Sequence, residues 1–294
     1  MKTKLDYYYI FYQIAQLGSF SAVAQKLYIS QSAISQCVHQ LEQDLQVQLF
    51  IRSKKGVTLT KEAKLLLEKI EPAIESIGQG EALLERLKHL ESGTLTIAAG
   101  DSVTTHFLLP YLEKFHALYP DIKIEMANSY SSHLLNLVKN GKADIAFVNM
   151  PVNDSELCIN ACFNIHDVFV CGQNFDNSKI FSWNEISNLP LILLEKNSSS
   201  RHYLDNLFKN KNLNLNPQIE LAVHDLLIRF ASIHLGISCV IEEFSKQELD
   251  NGLIKTLKIN PPLPPRNIGY AYRKNTPLSL ATKAFLNLLE QNKP

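Results

Sequence analysis

The chain has 294 residues, more than one compact core usually holds, so two or more domains are expected. Its apolar content of 46% and charged content of 20% are typical of a globular protein, and its formal net charge of zero gives no hint of a nucleic-acid partner. The N-terminus lacks the pattern of a signal peptide, and no apolar run approaches membrane-spanning length. We therefore expect a cytoplasmic protein without a membrane partner.

The cysteines are odd in number and show no CxxC spacing, which predicts reduced thiols rather than disulfides, metal ligands or a redox pair. Cys158 and Cys162 would share one face only if their segment were helical, and its pattern favours a strand. The five cysteines are Cys37, Cys158, Cys162, Cys171 and Cys239. The sequence predicts neither a metal site nor a cofactor.

The first 60 residues have the pattern of a small DNA-binding domain. Apolar periodicity predicts helices over 5–17, 22–27 and 31–45, followed by two short strands over 48–51 and 57–59. Three helices and a hairpin form a winged helix-turn-helix. The segment has six basic and three acidic side chains, a mild positive excess that alone is more typical of a solvated loop than of DNA binding.

The third predicted helix begins after Ser30, a good N-cap residue. Its apolar stripe comprises Ile34, Val38, Leu41 and Leu45, and its opposite face carries Gln31, Ser32, Ser35, Gln36, His39 and Gln40. Glutamine can make two hydrogen bonds to adenine, and serine can bond several base edges or a phosphate. A solvated polar face explains the same pattern equally well, so periodicity alone leaves both interpretations open.

Residues 61–92 predict a long linker helix that starts after Thr60. Its apolar side chains follow a spacing of four and three, which favours pairing with another helix over burial within the same chain. Pro72 is expected to kink the helix or to be accommodated by a local break, and Gly78 and Gly80 should weaken it further.

Beyond residue 93, strands and helices alternate, which predicts parallel α/β sheets with crossover helices. The proline-rich connector at 261–265 comes late, which suggests that the chain returns to its first lobe. We therefore expect a first lobe over about 93–164 and 268–294 and a second lobe over about 165–267, together forming the domain 93–294.

Three serine-containing segments follow predicted strands and open predicted helices: Gly100–Ser102, Ser129–Ser132 and Asn197–Arg201. Serine is an ordinary helix cap, which explains any one of them. Three such segments, one with an arginine, favour an anion site between the lobes. Asp101 complicates this interpretation because its carboxylate would oppose a second negative charge. His224 and Asp225 at the next strand-to-helix junction are weaker candidates.

The first 60 residues resemble the DNA-binding domain of LysR-type transcriptional regulators. The resemblance rests on segments in matching order and spacing: Gly18–Leu27, Ser30–Gln36, Leu41–Glu42, Leu49–Arg52 and Leu59–Thr60. It implies an α/β protein with an all-α-plus-wing N-terminal domain (a winged helix-turn-helix), then a long linker helix and a two-lobed effector domain like that of periplasmic binding proteins. It also implies a homo-oligomer, a dimer or a tetramer.

The resemblance also implies roles for individual residues. Gln31, Ser32, Ser35 and Gln36 would contact bases in the major groove, and Arg52 would contact the DNA backbone or the neighbouring minor groove. The chain departs from the family by having Ser32 for a usual proline, Gln46 and Ala63 for frequent glycines, Val23 for an alanine, and Gln36 for a frequent arginine or lysine. The last departure predicts greater dependence on Arg52, Lys54 and Lys55.

For the effector, the resemblance points to the cleft between the lobes, with Ser102, Ser131, Ser199 and Arg201 as candidate contacts. A small carboxylate is the ligand class that it favours. Relatives that sense peroxide place a reactive cysteine near the stretch that is Ser198–Ser200 here, so ligand sensing is expected rather than thiol sensing.

Two other classes of function fit less well. An enzyme is disfavoured because the sequence has no GxSxG elbow, HExxH pair, phosphate-binding loop or dinucleotide fingerprint. A solute-binding protein for a transporter would explain 93–294 but not the first 60 residues. The sequence therefore predicts a sequence-specific transcriptional regulator, controlled by a small-molecule effector, with double-stranded DNA, the effector and other copies of itself as partners.

Overall fold

The computed structural model describes residues 3–53, 56–129 and 131–291. It divides into two compact units, Met1–Arg86 and Leu87–Pro294. Within the described ranges, no helix is both long enough and apolar enough to cross a membrane.

The first unit is a three-helix domain with a two-stranded wing and the start of a long helix. Its elements are α1 (Leu5–Leu17), α2 (Phe20–Leu27), α3 (Gln31–Leu45), the antiparallel pair β1 (Phe50–Ser53) and β2 (Gly56–Leu59), and α4 (Lys61–Lys88). Phe11, Ile34, Leu41 and Leu49 are completely buried in its core. The stripe predicted for the third helix is thus the side on which it packs, although Leu45 is only half-buried there.

Hydroxyl caps set where these helices begin. Ser30 Oγ accepts a hydrogen bond from the N–H of Ala33 at 3.2 Å, and Thr60 Oγ1 accepts one from Ala63 at 3.1 Å. Gly18 and Gln46 follow α1 and α3 with φ of 64° and 57°. Glycine adopts this left-handed conformation without steric cost, so Gln46, where the family often has glycine, holds a less favourable backbone.

The long helix α4 runs unbroken through Pro72, Gly78 and Gly80. The predicted local break is therefore absent from this described helix. Leu65 and Leu84 expose 66% and 60% of their surface, while Ala63 is fully buried against the three-helix core. Exposed apolar side chains thus lie near both ends of the helix.

The second unit contains two lobes, each built on a five-stranded sheet. Lobe I comprises β3 (Thr94–Ala99), α5 (Asp101–Val103), a π-helical turn (Thr104–Leu108), α6 (Leu109–Leu118), β4 (Lys123–Asn128), α7 (Ser131–Lys139), β5 (Ile145–Asn149), β6 (Leu157–Ile165), β14 (Arg266–Arg273) and α12 (Leu280–Gln291). Its strand order is β4-β3-β5-β14-β6.

Lobe II lies between β6 and β14 in sequence. It comprises β7 (Asp167–Gly172), β8 (Ile180–Phe181), α8 (Trp183–Ser187), β9 (Leu191–Leu194), α9 (Ser199–Lys209), β10 (Ile219–Leu221), α10 (His224–Ser232), β11 (Ile237–Ile241), α11 (Lys246–Asp250), β12 (Ile254–Thr256) and β13 (Lys258–Ile259). Its main sheet has the order β10-β9-β11-β7-β12, and β8 pairs with β13.

The prediction of parallel sheets with crossover helices is wrong for the strands next to the two interlobe crossings. β3 pairs in parallel with β4 and β5, but β14 is antiparallel to β5 and β6, and β7 is antiparallel to β11 and β12. A crossover helix sets the direction of a strand that follows within the same sheet. β7 and β14 enter their sheets from the other lobe, so no such helix constrains them.

Each lobe has its own aromatic core, and Ile241 and Phe244 of lobe II also pack into the core of lobe I. Phe115, Phe147 and Phe285 are completely buried in lobe I. Phe244, which follows β11 of lobe II, belongs to the same cluster. Its ring stacks on His106 at a centroid distance of 5.1 Å and lies parallel to Phe163 at 6.5 Å. The two lobes are therefore packed together on this side.

Candidate functional site

The outward face of α3 is polar and uncharged. Gln31, Ser32 and Gln36 are exposed and Ser35 is half-buried, opposite the buried side chains of the helix. His39 and Gln40 are hydrogen-bonded to side chains one turn later, at 2.9 and 2.7 Å. No such bond is found for Gln31, Ser35 or Gln36 in the part of the chain that the structure describes, so these side chains can meet a ligand.

The wing presents Arg52 beside the start of α2. Its guanidinium lies 4.3 Å from the centroid of the Phe20 ring, a cation–π distance, and its side chain is exposed. Because Phe20 is buried, the stacking fixes the direction in which Arg52 leaves the domain. Lys54 and Lys55, the other predicted wing contacts, lie outside the described residues.

A cavity of about 420 Å³ lies between the two lobes of the second unit. It is bordered by residues at the carboxyl ends of β3, β4 and β5 from lobe I and of β9 and β10 from lobe II. Its lining includes Gly100, Asp101, Ser102, Asn128, Ser129, Asn149, Leu194, Ser198, Ser199, Ser200, Val223, His224 and Phe244. Ligands of two-lobed α/β proteins bind at such strand ends.

Two of the four predicted effector contacts, Ser102 and Ser199, line this cavity. The side chain of Ser131 lies outside what the structure describes. Arg201 is only 3% exposed and does not line the cavity. Its Nε donates to Asp205 Oδ1 at 2.9 Å, and its Nη1 donates to the carbonyl of Leu194 and to Glu220.

The expected role of Arg201 is thus corrected by its position on α9. Its side chain lies on the buried side of the helix, where it ties α9 to β9 and β10. The sequence places this residue close to the cavity but does not show to which side its long side chain turns.

Three helices begin at the cavity without side-chain caps. The residues at the N-cap positions of α5, α9 and α10 are Gly100, Ser198 and Val223, and among the described residues none of them makes a side-chain cap hydrogen bond. Serine or threonine hydroxyls do cap α2, α3, α4, α8 and α12. The first-turn amides of Ser200 and Arg201 in α9 and those of α10 receive no side-chain cap and can therefore meet an acceptor, and the dipoles of these two helices favour an anion there.

A hydrogen-bonded chain crosses the base of the cavity. Asn149 Nδ2 of lobe I donates to Ser199 Oγ of lobe II at 2.6 Å. Arg266 holds both sides, because its Nη1 donates to Asn149 Oδ1 at 2.6 Å and its Nη2 donates to Ser200 Oγ at 2.9 Å. The sequence pattern singled out neither Asn149 nor Arg266. Two signals could have identified them: Asn149 lies at the end of a strand, and Arg266 directly follows the proline-rich connector.

His106, His224 and Asp225 meet at one side of the cavity. His106 Nε2 lies 2.9 Å from Asp225 Oδ1, and His224 Nδ1 lies 3.5 Å from the same oxygen. The two imidazoles, His224 first, hold the pKa of the Asp225 carboxyl well below its usual range. The pair His106–Asp225 is thus a second polar link between the lobes.

This cluster has the residue types of a metal site, but His224 carries its proton on the nitrogen that a metal ion would need. His224 Nε2 accepts the N–H of Ile241 at 3.1 Å, so this nitrogen carries no proton. The proton of the ring is then on Nδ1, the atom that would have to offer a lone pair to a metal ion. A metal would bind only after the bond to Ile241 is lost.

Comparison with known proteins covers both units. Residues 5–64 match the model of the bacterial regulatory helix-turn-helix protein, lysR family, and residues 88–294 match the LysR substrate binding domain. A probable RuBisCO transcriptional regulator of Chlorokybus atmophyticus is 27% identical over 297 residues, which cover 96% of this chain and 92% of that protein.

Solved structures share the fold. A full-length variant of OxyR from Pseudomonas aeruginosa superposes with a TM-score of 0.80 at 17% identity and covers 98% of this chain and 99% of its own. The structure of full-length CbnR in complex with its target DNA superposes with a TM-score of 0.66 at 17% identity. The match covers 99% of this chain and 100% of the CbnR chain.

These matches confirm the predicted fold class and the prediction of a transcriptional regulator rather than an enzyme. The match to the substrate-binding model alone spans more than half of the chain. The chain therefore belongs to the LysR family of transcriptional regulators, with an N-terminal helix-turn-helix domain that binds DNA and a C-terminal domain that binds an effector.

Proposed function

We propose that α3 and the wing select the DNA sequence and that a small carboxylate bound in the interlobe cavity controls occupancy of that DNA. Control by a carboxylate is supported by one observation: the N-termini of α9 and α10, which lack side-chain caps, meet at the same cavity. We place this regulation in the cytoplasm.

The DNA-binding surface combines neutral base-contacting groups with few positive charges. Gln31 and Gln36 can each make paired hydrogen bonds to a base edge, whereas Arg52 supplies a charge for phosphate. Since phosphate contacts dominate affinity, a surface with so few cations should depend strongly on each of them. Lys54 and Lys55 belong to the same proposal by their place in the sequence.

The carboxylate would be held by amides and hydroxyls rather than by an ion pair. Backbone N–H groups at the starts of α9 and α10 and the hydroxyl of Ser198 lie on the lobe II side of the cavity. Hydrogen bonds from such donors to an ionised acceptor are stronger than bonds between neutral groups. Arg201, the predicted ion-pair partner, is already engaged by two carboxylates.

Binding in this cavity can be transmitted because groups from both lobes line it. The Asn149–Ser199 hydrogen bond spans the lobes, so a ligand that bonds to Ser199 competes with it or adds to it. A ligand that binds one interlobe arrangement better than another shifts the population towards that arrangement. In a dimer or tetramer, the exposed apolar side chains of α4 would pair with those of another copy and transmit this shift to a second DNA-binding domain.

Fluorescence anisotropy with DNA that flanks the protein's own gene tests this proposal. Binding is measured across a salt series, without ligand and with acetate, pyruvate, malate, citrate, benzoate, alanine or aspartate. We expect steep salt dependence and a shift in affinity with at least one of these carboxylates. Unchanged DNA binding and an unchanged melting temperature with every carboxylate would contradict the carboxylate site. Absence of binding to any DNA at low salt would contradict the DNA-binding surface.

A variant at Ser198 tests the uncapped amides directly. Aspartate is a strong N-cap residue, so in Ser198→Asp its carboxylate should bond the first-turn amides of α9 and take the place of the ligand. We expect normal DNA binding without ligand and a lost response to the carboxylate. Ser198→Ala is the matched comparison, because it removes the hydroxyl but keeps the amides uncapped, so it should weaken the response without abolishing it. An equal response in Ser198→Asp and wild type would exclude these amides as the anchor.

A further inference from the structure

Asp101 places a carboxylate on the lobe I wall of the same cavity. It is the first residue of α5 and is exposed, and its Oδ1 accepts a hydrogen bond from Asn128 Nδ2. Among the lining residues that the structure describes, Asp101 is the one carboxylate, and there is no lysine or arginine. It would therefore repel a ligand that carried negative charge alone.

The cationic side chains near the cavity cannot neutralise this charge. The guanidiniums of Arg201 and Arg266 are almost completely buried, and each already forms an ion pair with a carboxylate of lobe II. His224 lines the cavity, but its Nε2 accepts a hydrogen bond from the backbone, so its ring is uncharged. The charge opposite Asp101 must therefore come from the ligand or from solvent.

A purely structural role for Asp101 is the alternative. An acidic residue in the first turn of a helix interacts favourably with the helix dipole. In this role the carboxylate would have no effect on which ligand binds, apart from weakening every anion alike. The two roles therefore differ in how ligand selectivity responds to loss of the charge.

We propose that the effector carries an ammonium group as well as a carboxylate, as an amino acid does. The ammonium would pair with Asp101 of lobe I, and the carboxylate would bind the N-termini of α9 and α10 of lobe II. This inference rests on the proposed carboxylate site and adds the second group of the ligand. A cavity of about 420 Å³ lies within the range of small-molecule sites and accommodates a compound of this size.

Such a ligand would also join the lobes. Its two charged ends would engage opposite walls of the cavity, next to the polar links Asn149–Ser199 and His106–Asp225. Binding would then stabilise one separation of the lobes, which a ligand held by a single lobe would not do.

Isothermal titration calorimetry with the full chain tests the inference. Each standard amino acid is titrated separately, and the tightest binder is then compared with its deaminated acid and its decarboxylated amine. We expect the amino acid to bind at least about tenfold more tightly than either partial compound. In Asp101→Asn, the amino acid and its deaminated acid should bind within about threefold of each other. Asp121→Asn, an exposed aspartate of lobe I outside the cavity lining, is the control and should keep the wild-type preference.

The outcomes separate this inference from the proposed carboxylate site. If the deaminated acid binds as tightly as the amino acid, the ammonium subsite is wrong while the carboxylate site stands. If the decarboxylated amine binds as tightly as the amino acid, the carboxylate site is wrong. Unchanged selectivity in Asp101→Asn overturns the role of Asp101, and absence of binding by every amino acid up to about 10 mM overturns the ligand class.

Discussion

Arg266 and Asp167 face each other where the chain passes twice between the lobes. Nε of Arg266 lies 2.5 Å from Oδ2 of Asp167, and Nη2 lies 2.9 Å from Oδ1. Both side chains are almost completely buried. Asp167 begins β7 directly after the first crossing, and Arg266 begins β14 directly after the second. This two-point ion pair therefore joins the two crossings, and the same guanidinium reaches the base of the effector cavity through Asn149 and Ser200.

Asp167→Asn should lower the free energy of unfolding of the effector-binding unit by about 3–5 kcal/mol, because it leaves the guanidinium of Arg266 buried without its counter-charge. Urea denaturation followed by the fluorescence of Trp183 measures this change, since Trp183 is the chain's single tryptophan and is buried in lobe II. The double variant Asp167→Leu with Arg266→Met should lose less than Asp167→Asn, because no buried charge remains. A larger loss in the double variant would contradict this explanation.

The carboxyl of Asp225 should make stability depend on pH. Its pKa in the folded protein is lowered from the ordinary 3.8, first by the neighbouring imidazole of His224 and then by the hydrogen bond to His106. The stabilisation is therefore complete above the unfolded value of 3.8 and is lost as the pH falls through the lower folded value. Asp225→Asn should destabilise the protein at about pH 7, and the difference in melting temperature should shrink towards about pH 3.

Asp121→Asn is the control for this experiment, because this exposed aspartate shows no salt bridge among the described residues. Its melting temperature should track that of wild type at each pH. A difference for Asp225→Asn that stayed constant from neutral to acidic pH would show that lost packing, rather than lost charge, explains the effect.

Much of the fold could be predicted because its signals are local. Caps such as Ser30 and Thr60 and the apolar stripe of α3 lie within a few residues of the structure that they determine. The mixed direction of the sheets could not be predicted in this way. The orientation of β14 depends on its passage from lobe II back into lobe I, and no local pattern records that passage.

The site could be predicted only at the level of segments. The three serine-containing segments were expected at strand ends, and Ser102 and Ser199 line the cavity. The direction of the Arg201 side chain depends on carboxylates at Asp205 and Glu220, which packing brings to it. The missing caps at the cavity could not be foreseen either, because Ser198 is a residue type that usually caps a helix.

Gln31→Ala should change the base preference of the protein at one position of its operator. Gln31 is exposed at the first position of α3, and loss of two hydrogen bonds to a base should cost about 1–3 kcal/mol on the preferred sequence. Affinities for operators altered one base pair at a time measure this effect. Gln43→Ala near the end of the same helix is the control and should keep the wild-type preference. Identical preferences for Gln31→Ala and wild type would remove Gln31 from the base-contacting set.

Arg52→Ala should weaken binding to all DNA sequences alike, because phosphate is the same at every base pair. Stacking on Phe20 at 4.3 Å fixes the guanidinium at the wing, so its loss removes an oriented charge rather than a mobile one. The slope of the logarithm of affinity against the logarithm of salt concentration should fall by about 1. Lys209→Ala removes the same charge from an exposed position of the effector-binding unit and should leave the slope unchanged.

If Arg52→Ala bound specific and random DNA normally at every salt concentration, the assignment of Arg52 to the phosphate backbone would be withdrawn. A loss confined to one operator sequence would instead make Arg52 a base-contacting residue, as an arginine inserted into the minor groove would be.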